Sequence, residues 1–76
     1  MLTAGQIRAA RAALGWSGSD LAVAADVSLR TVTKIEGSAD ELGVRLATIM
    51  QIKKTFEAKG IEFITAADGS PGIVIR

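Results

Sequence analysis

Three hydroxyl residues divide the first half of this chain into short helices. Thr3, Ser17 and Ser28 each precede a segment whose apolar residues recur at helical spacing. Thr3 is followed three residues later by Gln6, the spacing of a capping box, and Ser17 by Asp20 in the first turn, where an acid suits the helix dipole. Gly15 and Gly37 stand where the first and third segments stop. This punctuation predicts helices over about 4–13, 18–24 and 29–36. Ile7, Ala10 and Leu14 face inward from the first, Leu21, Ala22 and Ala25 from the second, and Val32 and Ile35 from the third. Ala22 is small where the second and third helices must cross closely, and Trp16 reads as a core anchor.

The polar stretch 38–43 predicts a loop. Leu46, Ile49, Ile52 and Phe56 then recur at helical spacing, predicting a fourth helix of about 44–59 that stops at Gly60. Lys53, Lys54 and Lys59 near its end suit the helix dipole. After Gly60 the chemistry changes. Ile61–Ile64 and Ile73–Arg76 are β-rich runs, and Asp68-Gly69 and Pro71-Gly72 are turn signals within the stretch 65–72 between them. That pattern predicts a terminal β-hairpin. With 76 residues the chain makes one domain with a small core. Residues 1–60 form its helical part and 61–76 the hairpin.

Composition narrows the function. With no Cys and no His, the chain lacks thiolate chemistry, the commonest general base and the commonest metal ligand. Asp40 and Glu41 are adjacent rather than convergent, and Gly69-Ser70-Pro71-Gly72 reads as a turn, with no Lys at phosphate-loop spacing. No apolar run approaches the roughly 20 residues that span a bilayer, and the N-terminus has no signal-peptide pattern. The expectation is a non-enzymatic binding module in the cytoplasm, with no metal, cofactor, membrane or small-molecule ligand. The net charge is only +1 and no segment is a polybasic arm, so any DNA affinity must come from a few placed cations.

Residues 18–37 carry the most information. Two short helices are joined by about three residues, and the second is opened by a capping Ser. Leu14-Gly15-Trp16-Ser17, Leu21-Ala22, Ala24-Ala25, Val27-Ser28, Thr31-Val32 and Lys34-Ile35-Glu36-Gly37 resemble the helix-turn-helix of the phage repressor and Cro family, the XRE family of bacterial regulators. The resemblance covers about 4–59, and the tail from Phe56 to Phe63 with Asp68 to Gly72 looks like a subgroup of small bacterial XRE regulators. It implies a mainly α, lambda-repressor-like helix-turn-helix bundle of four helices with a C-terminal β-hairpin. The implied function is sequence-specific double-stranded DNA binding by a homodimer, acting as a nucleoid-associated transcriptional regulator.

On that reading the helix 29–36 enters the major groove and presents its first residues to base edges. Leu29, Arg30, Thr33 and Lys34 point outward. Arg30 suits guanine, Leu29 a thymine methyl, and Lys34 lies one turn on. Ser28 and Thr31 either contact phosphate or cap and pack. The resemblance further implies a largely buried Arg11–Glu36 pair that fixes this helix and presents Arg11 toward phosphate. Two positions depart from the family's pattern. Gly18 stands where the family places a Gln that contacts phosphate, leaving only its backbone N–H for that role. Asp26 stands where the family prefers Gly in the turn. These departures and the low net charge keep a second function open: a protein-interaction module of the same fold, an antitoxin-like partner with weak DNA contact.

In a regular hairpin Ile61, Phe63, Ile73 and Ile75 share one face, and Glu62, Ile64, Val74 and Arg76 the other. The first face can cover the core beside Phe56 and Leu46. A lone hairpin is marginal in water and an apolar edge invites pairing. Dimerisation through Ile61, Phe63, Ile64, Ile73, Val74 and Ile75 is therefore expected, setting two recognition helices roughly 34 Å apart. The alternative is a hairpin folded wholly onto its own subunit.

Overall fold

Local hydrogen bonds at the helix ends set the boundaries of the fold. The computed structural model describes residues 2–37 and 45–76. Among them run α1 (Ala4–Leu14), α2 (Gly18–Ala25), α3 (Leu29–Gly37) and α4 (Leu46–Glu57), followed by β1 (Ile61–Thr65) and β2 (Pro71–Ile75). Thr3 Oγ1 accepts from the Gln6 N–H at 3.1 Å while Gln6 Oε1 accepts from the Thr3 N–H at 2.9 Å. Ser17 and Asp20 close a second box of the same kind at 3.1 and 2.8 Å, so Asp20 caps as well as meeting the dipole. Ser28 Oγ accepts from the Thr31 N–H at 3.0 Å. Gly15 ends α1 in the left-handed region, φ 68°. Asp26 does the same for α2 at φ 57°, a conformation that Asp tolerates better than most residues.

The four helices wrap one small core. Phe56, Ile7, Leu21, Ile35, Ile52 and Ile61 are its largest fully buried side chains. The Trp16 ring leans on this core with its centroid 5.6 Å from that of Phe56, and Phe63 meets Phe56 edge-on at 5.8 Å. α2 packs on α3 and α4, α1 on α3 and β2, and α4 on β1. No described helix is long and apolar enough to cross a membrane.

The hairpin is antiparallel, with Ile61 opposite Ile75, Phe63 opposite Ile73 and Ile64 opposite Gly72. Ile61 is buried and Phe63 and Ile73 pack against the core, as the alternation predicts. Both strands differ from the predicted spans. Thr65 still pairs with Pro71, so Pro71-Gly72 belongs to β2 rather than to the turn. Proline fits there because it is the first residue of an edge strand, where no ladder donor is lost. A Cβ at Gly72 would stand 3.4 Å from Ile64 Cγ1, so the glycine leaves room for the isoleucine across from it. The turn itself is held by Asp68, whose Oδ1 accepts from the Ser70 hydroxyl at 2.6 Å and from its N–H at 3.0 Å. These bonds, the hydroxyl first, hold the Asp68 carboxyl below its ordinary range.

Two apolar residues are not where the periodicity put them. Leu46 was expected inward but is 64 % exposed. It is the first residue of α4 and lines, with Met50, Phe63 and Ile64, an open groove between α4 and β1. Ile75 shares the inward parity of Ile61 and Phe63 yet is 66 % exposed, because it ends the strand past the edge of the core. The predicted loop 38–43, with Asp40 and Glu41, and the predicted first helical residue Val44 lie outside the described residues.

Gln6 joins the hairpin to the helices. Beyond its part in the α1 cap, its buried Nε2 donates to the carbonyls of Ile64 at 3.2 Å and Gly72 at 2.9 Å, touching both strands at one paired position. All the capacity of the amide nitrogen is used inside the protein. Gln6→Ala is expected to destabilise the fold by about 1–3 kcal/mol, because it removes two bonds to part-buried hairpin carbonyls and opens the cap together. Chemical unfolding of Gln6→Ala beside Thr3→Ala checks this. Thr3→Ala removes only the cap acceptor, so its loss is expected to be the smaller.

Candidate nucleic-acid interface

α2 and α3 meet through the three residues 26–28. The Val27 N–H donates to the Ala22 carbonyl at 2.9 Å, wrapping the end of α2, and Val27 packs against the core. The Gln51 side chain donates to the Ala25 carbonyl and ties this corner to α4. Val32 and Ile35 are buried, so rotation along α3 turns Leu29, Arg30, Thr33 and Lys34 outward, and all four are exposed. Two cations, Arg30 and Lys34, thus share the outward face of α3, while its one acid, Glu36, is turned the other way.

Ser28 and Thr31 are engaged with each other. Their hydroxyl oxygens lie 2.9 Å apart and Ser28 Oγ also caps the Thr31 N–H, so capping is the role their geometry supports. Gly18, the first residue of α2, is half-buried against α3. A Cβ there would stand 3.5 Å from Leu29 Cδ1 and 3.7 Å from Val32 Cγ1.

Glu36 is the anchor of α3. Arg11 donates from Nε to Glu36 Oε2 and from Nη2 to Oε1, both at 2.7 Å, and from Nη1 to the Trp16 carbonyl at 3.0 Å. The two side chains are only 22 % and 12 % exposed. The hydrogen bonds to Glu36 raise the Arg11 pKa, outweighing burial, so the guanidinium stays charged at every working pH. Three of its five donors are engaged within the protein, so the pair is as the resemblance implied but a phosphate would find Arg11 already committed.

Arg8 completes this anchor, and sequence reasoning had assigned it no role. Its Nη1 donates at 2.7 Å to the Glu36 main-chain carbonyl, in the last turn of α3 where carbonyls lack helical partners. The signal was present: Arg8 and Arg11 lie three apart on one face of α1, opposite the only acid of α3. The second omission was the reach of Gln6 to the hairpin, for which the sequence offers no local sign.

The six hairpin residues expected at a dimer interface divide into two sets. Ile61 is fully buried, and Phe63 and Ile73 pack on their own core. Ile61 therefore covers the core of its own subunit. Ile64 and Val74 remain half-exposed on the opposite face, beside the exposed Ile75. Compared with known proteins, the sequence matches no family model and no curated protein.

Removing one partner of a fully buried ion pair costs roughly 3–5 kcal/mol, and partial exposure lowers that figure. Glu36→Ala is therefore expected to destabilise by about 2–3 kcal/mol, whereas exposed Glu57→Ala is expected to change stability by about 0–1 kcal/mol. Equal denaturant midpoints for the two variants would show that the Arg11–Glu36 pair carries no such weight.

Proposed function

We propose that this chain is a DNA-binding transcriptional regulator of the lambda-repressor-like helix-turn-helix type, with α2 and α3 as the motif and α3 as the helix that enters the major groove. One observation carries the reading. The outward face of α3 holds Leu29, Arg30, Thr33 and Lys34, and the helix behind them is fixed by buried Val32 and Ile35 and by two arginines on Glu36. An α-helix fits the major groove, and residues in its first turns reach base edges. Arg30, in the first turn, has the reach and fork geometry to bind guanine O6 and N7 together, and Lys34 extends the positive face by one turn.

The net charge of +1 makes a single subunit a modest polyanion binder, so strength must come from two copies on one duplex. Ile64 and Val74, half-exposed on the hairpin face they share with Glu62 and Arg76, are the apolar surface for that pairing. Glu62 and Arg76 on this face already pair with each other within the chain, so the face carries no unbalanced charge against a second copy.

Titration of the full chain onto duplex DNA across a salt series tests the reading. Affinity is expected to fall with a log–log slope of several units, one per neutralised phosphate. Arg30→Ala is expected to lose about 1–3 kcal/mol of specific affinity and to relax preference at one base pair. A folded protein that binds no duplex at low salt overturns the reading and leaves a protein-interaction role. Sedimentation at tens of micromolar tests the pairing: a dimer is expected, with Val74→Lys shifting it to monomer. A monomeric parent chain removes the two-copy element.

A further inference from the structure

Leu46 and Met50 stand one turn apart on α4, and both are exposed. With Phe63 and Ile64 of β1 they line an open groove, and buried Leu2 and Ile49 lie beneath it. The groove holds about 140 Å³, room for side chains but not for a helix about 10 Å across. Among the described residues Lys53 is the only charged side chain that lines it. Ile64 belongs to two surfaces. It lines the groove, and it also shares the outer hairpin face with Val74. Gly72 stands opposite Ile64 in the ladder, so Ile64 and Val74 are diagonal neighbours with only a glycine beside them. Apolar surface thus runs from α4 across β1 to β2.

Size decides what covers this surface. A stable protein interface buries roughly 800 Å² on each partner. Two half-exposed side chains fall far short of that, so a dimer built on Ile64 and Val74 has to extend onto neighbouring surface. The groove adjoins them through Ile64 and adds Leu46, Met50 and Phe63, all apolar. A net charge of +1 sets little repulsion between copies, and Glu62 and Arg76 neutralise each other on the hairpin side. We propose that a second copy of this chain closes the groove between α4 and β1, with Leu46 and Met50 joining Ile64 and Val74 in one interface. The inference rests on the two-copy pairing of the proposed function and brings α4 into it.

Sedimentation and thiol labelling of the full chain test this. Met50 is 46 % exposed, so a lysine there reaches solvent in the folded subunit. Met50→Lys is expected to keep the parent's circular dichroism and to sediment as a monomer at tens of micromolar, where the parent is a dimer. Val23→Lys replaces a more exposed apolar side chain, on α2 and outside the groove, and is expected to stay dimeric. Because the sequence has no Cys, Leu46→Cys places a single thiol at the rim. Its labelling rate is expected to fall several-fold as the protein is concentrated from the monomeric into the dimeric range. A folded Met50→Lys variant that stays dimeric overturns the inference, as does a Val23→Lys variant that is equally monomeric or a thiol whose labelling ignores concentration. If Val74→Lys breaks the dimer and Met50→Lys does not, the hairpin pairing stands and the groove is no part of it. A parent chain that is monomeric at tens of micromolar removes the pairing and this inference together, whereas a dimer closed at the groove that binds no duplex removes the DNA reading alone.

Discussion

The bidentate contact between Arg11 and Glu36 joins the first helix to the end of the third, and the candidate surface depends on it. α3 is a nine-residue helix, too short to hold itself in water. Its inner face is limited to Val32 and Ile35, which fix its depth but constrain its direction weakly. Two parallel hydrogen bonds from one guanidinium fix both distance and plane. Because Arg11 also grips the Trp16 carbonyl, the contact orients α3 relative to α1 and the link before α2 together. Arg8, on the carbonyl of the same Glu36, closes the other end of that bracket.

The hairpin solves a separate problem. Ile61 joins Phe56 and Ile52 in the buried cluster, and Phe63 and Ile73 pack against it, so the hairpin completes the core begun by the four helices. A two-stranded ribbon is weak alone. Gln6 compensates by carrying the capping network of α1 into both strands, so the same amide that starts the first helix holds the last element of the chain. The hairpin and the proposed DNA-reading face thus both hang from α1, on different sides of it. A change at Gln6 would act on the hairpin, and a change at Arg11 on α3.

Asp26 and Gly18 each have a definite local setting in the fold. Asp26 adopts the left-handed conformation that a glycine would take more easily, and the turn is kept. Gly18 opens α2 half-buried against α3, where a Cβ would stand 3.5 Å from Leu29 Cδ1, at ordinary van der Waals distance.

Most of the helical architecture was legible along the chain, because its determinants are local. Thr3, Ser17 and Ser28 cap through atoms three residues away, Gly15 ends its helix through its own backbone, and the 3.6-residue period names Ile7, Leu21, Val32, Ile35, Ile52 and Phe56 as core. The outward set Leu29, Arg30, Thr33 and Lys34 follows from the same period. What only the tertiary structure decided involves the ends of elements and partners far apart in sequence. Period alone cannot say where a neighbouring element stops, so Leu46 and Ile75 keep inward parity and still face solvent. Nor can it say that Gln6 meets residues 58 and 66 positions away, or that Arg8 reaches a main-chain carbonyl. Those contacts depend on where whole elements come to rest against each other, a property of packed volume rather than of any local run of residues.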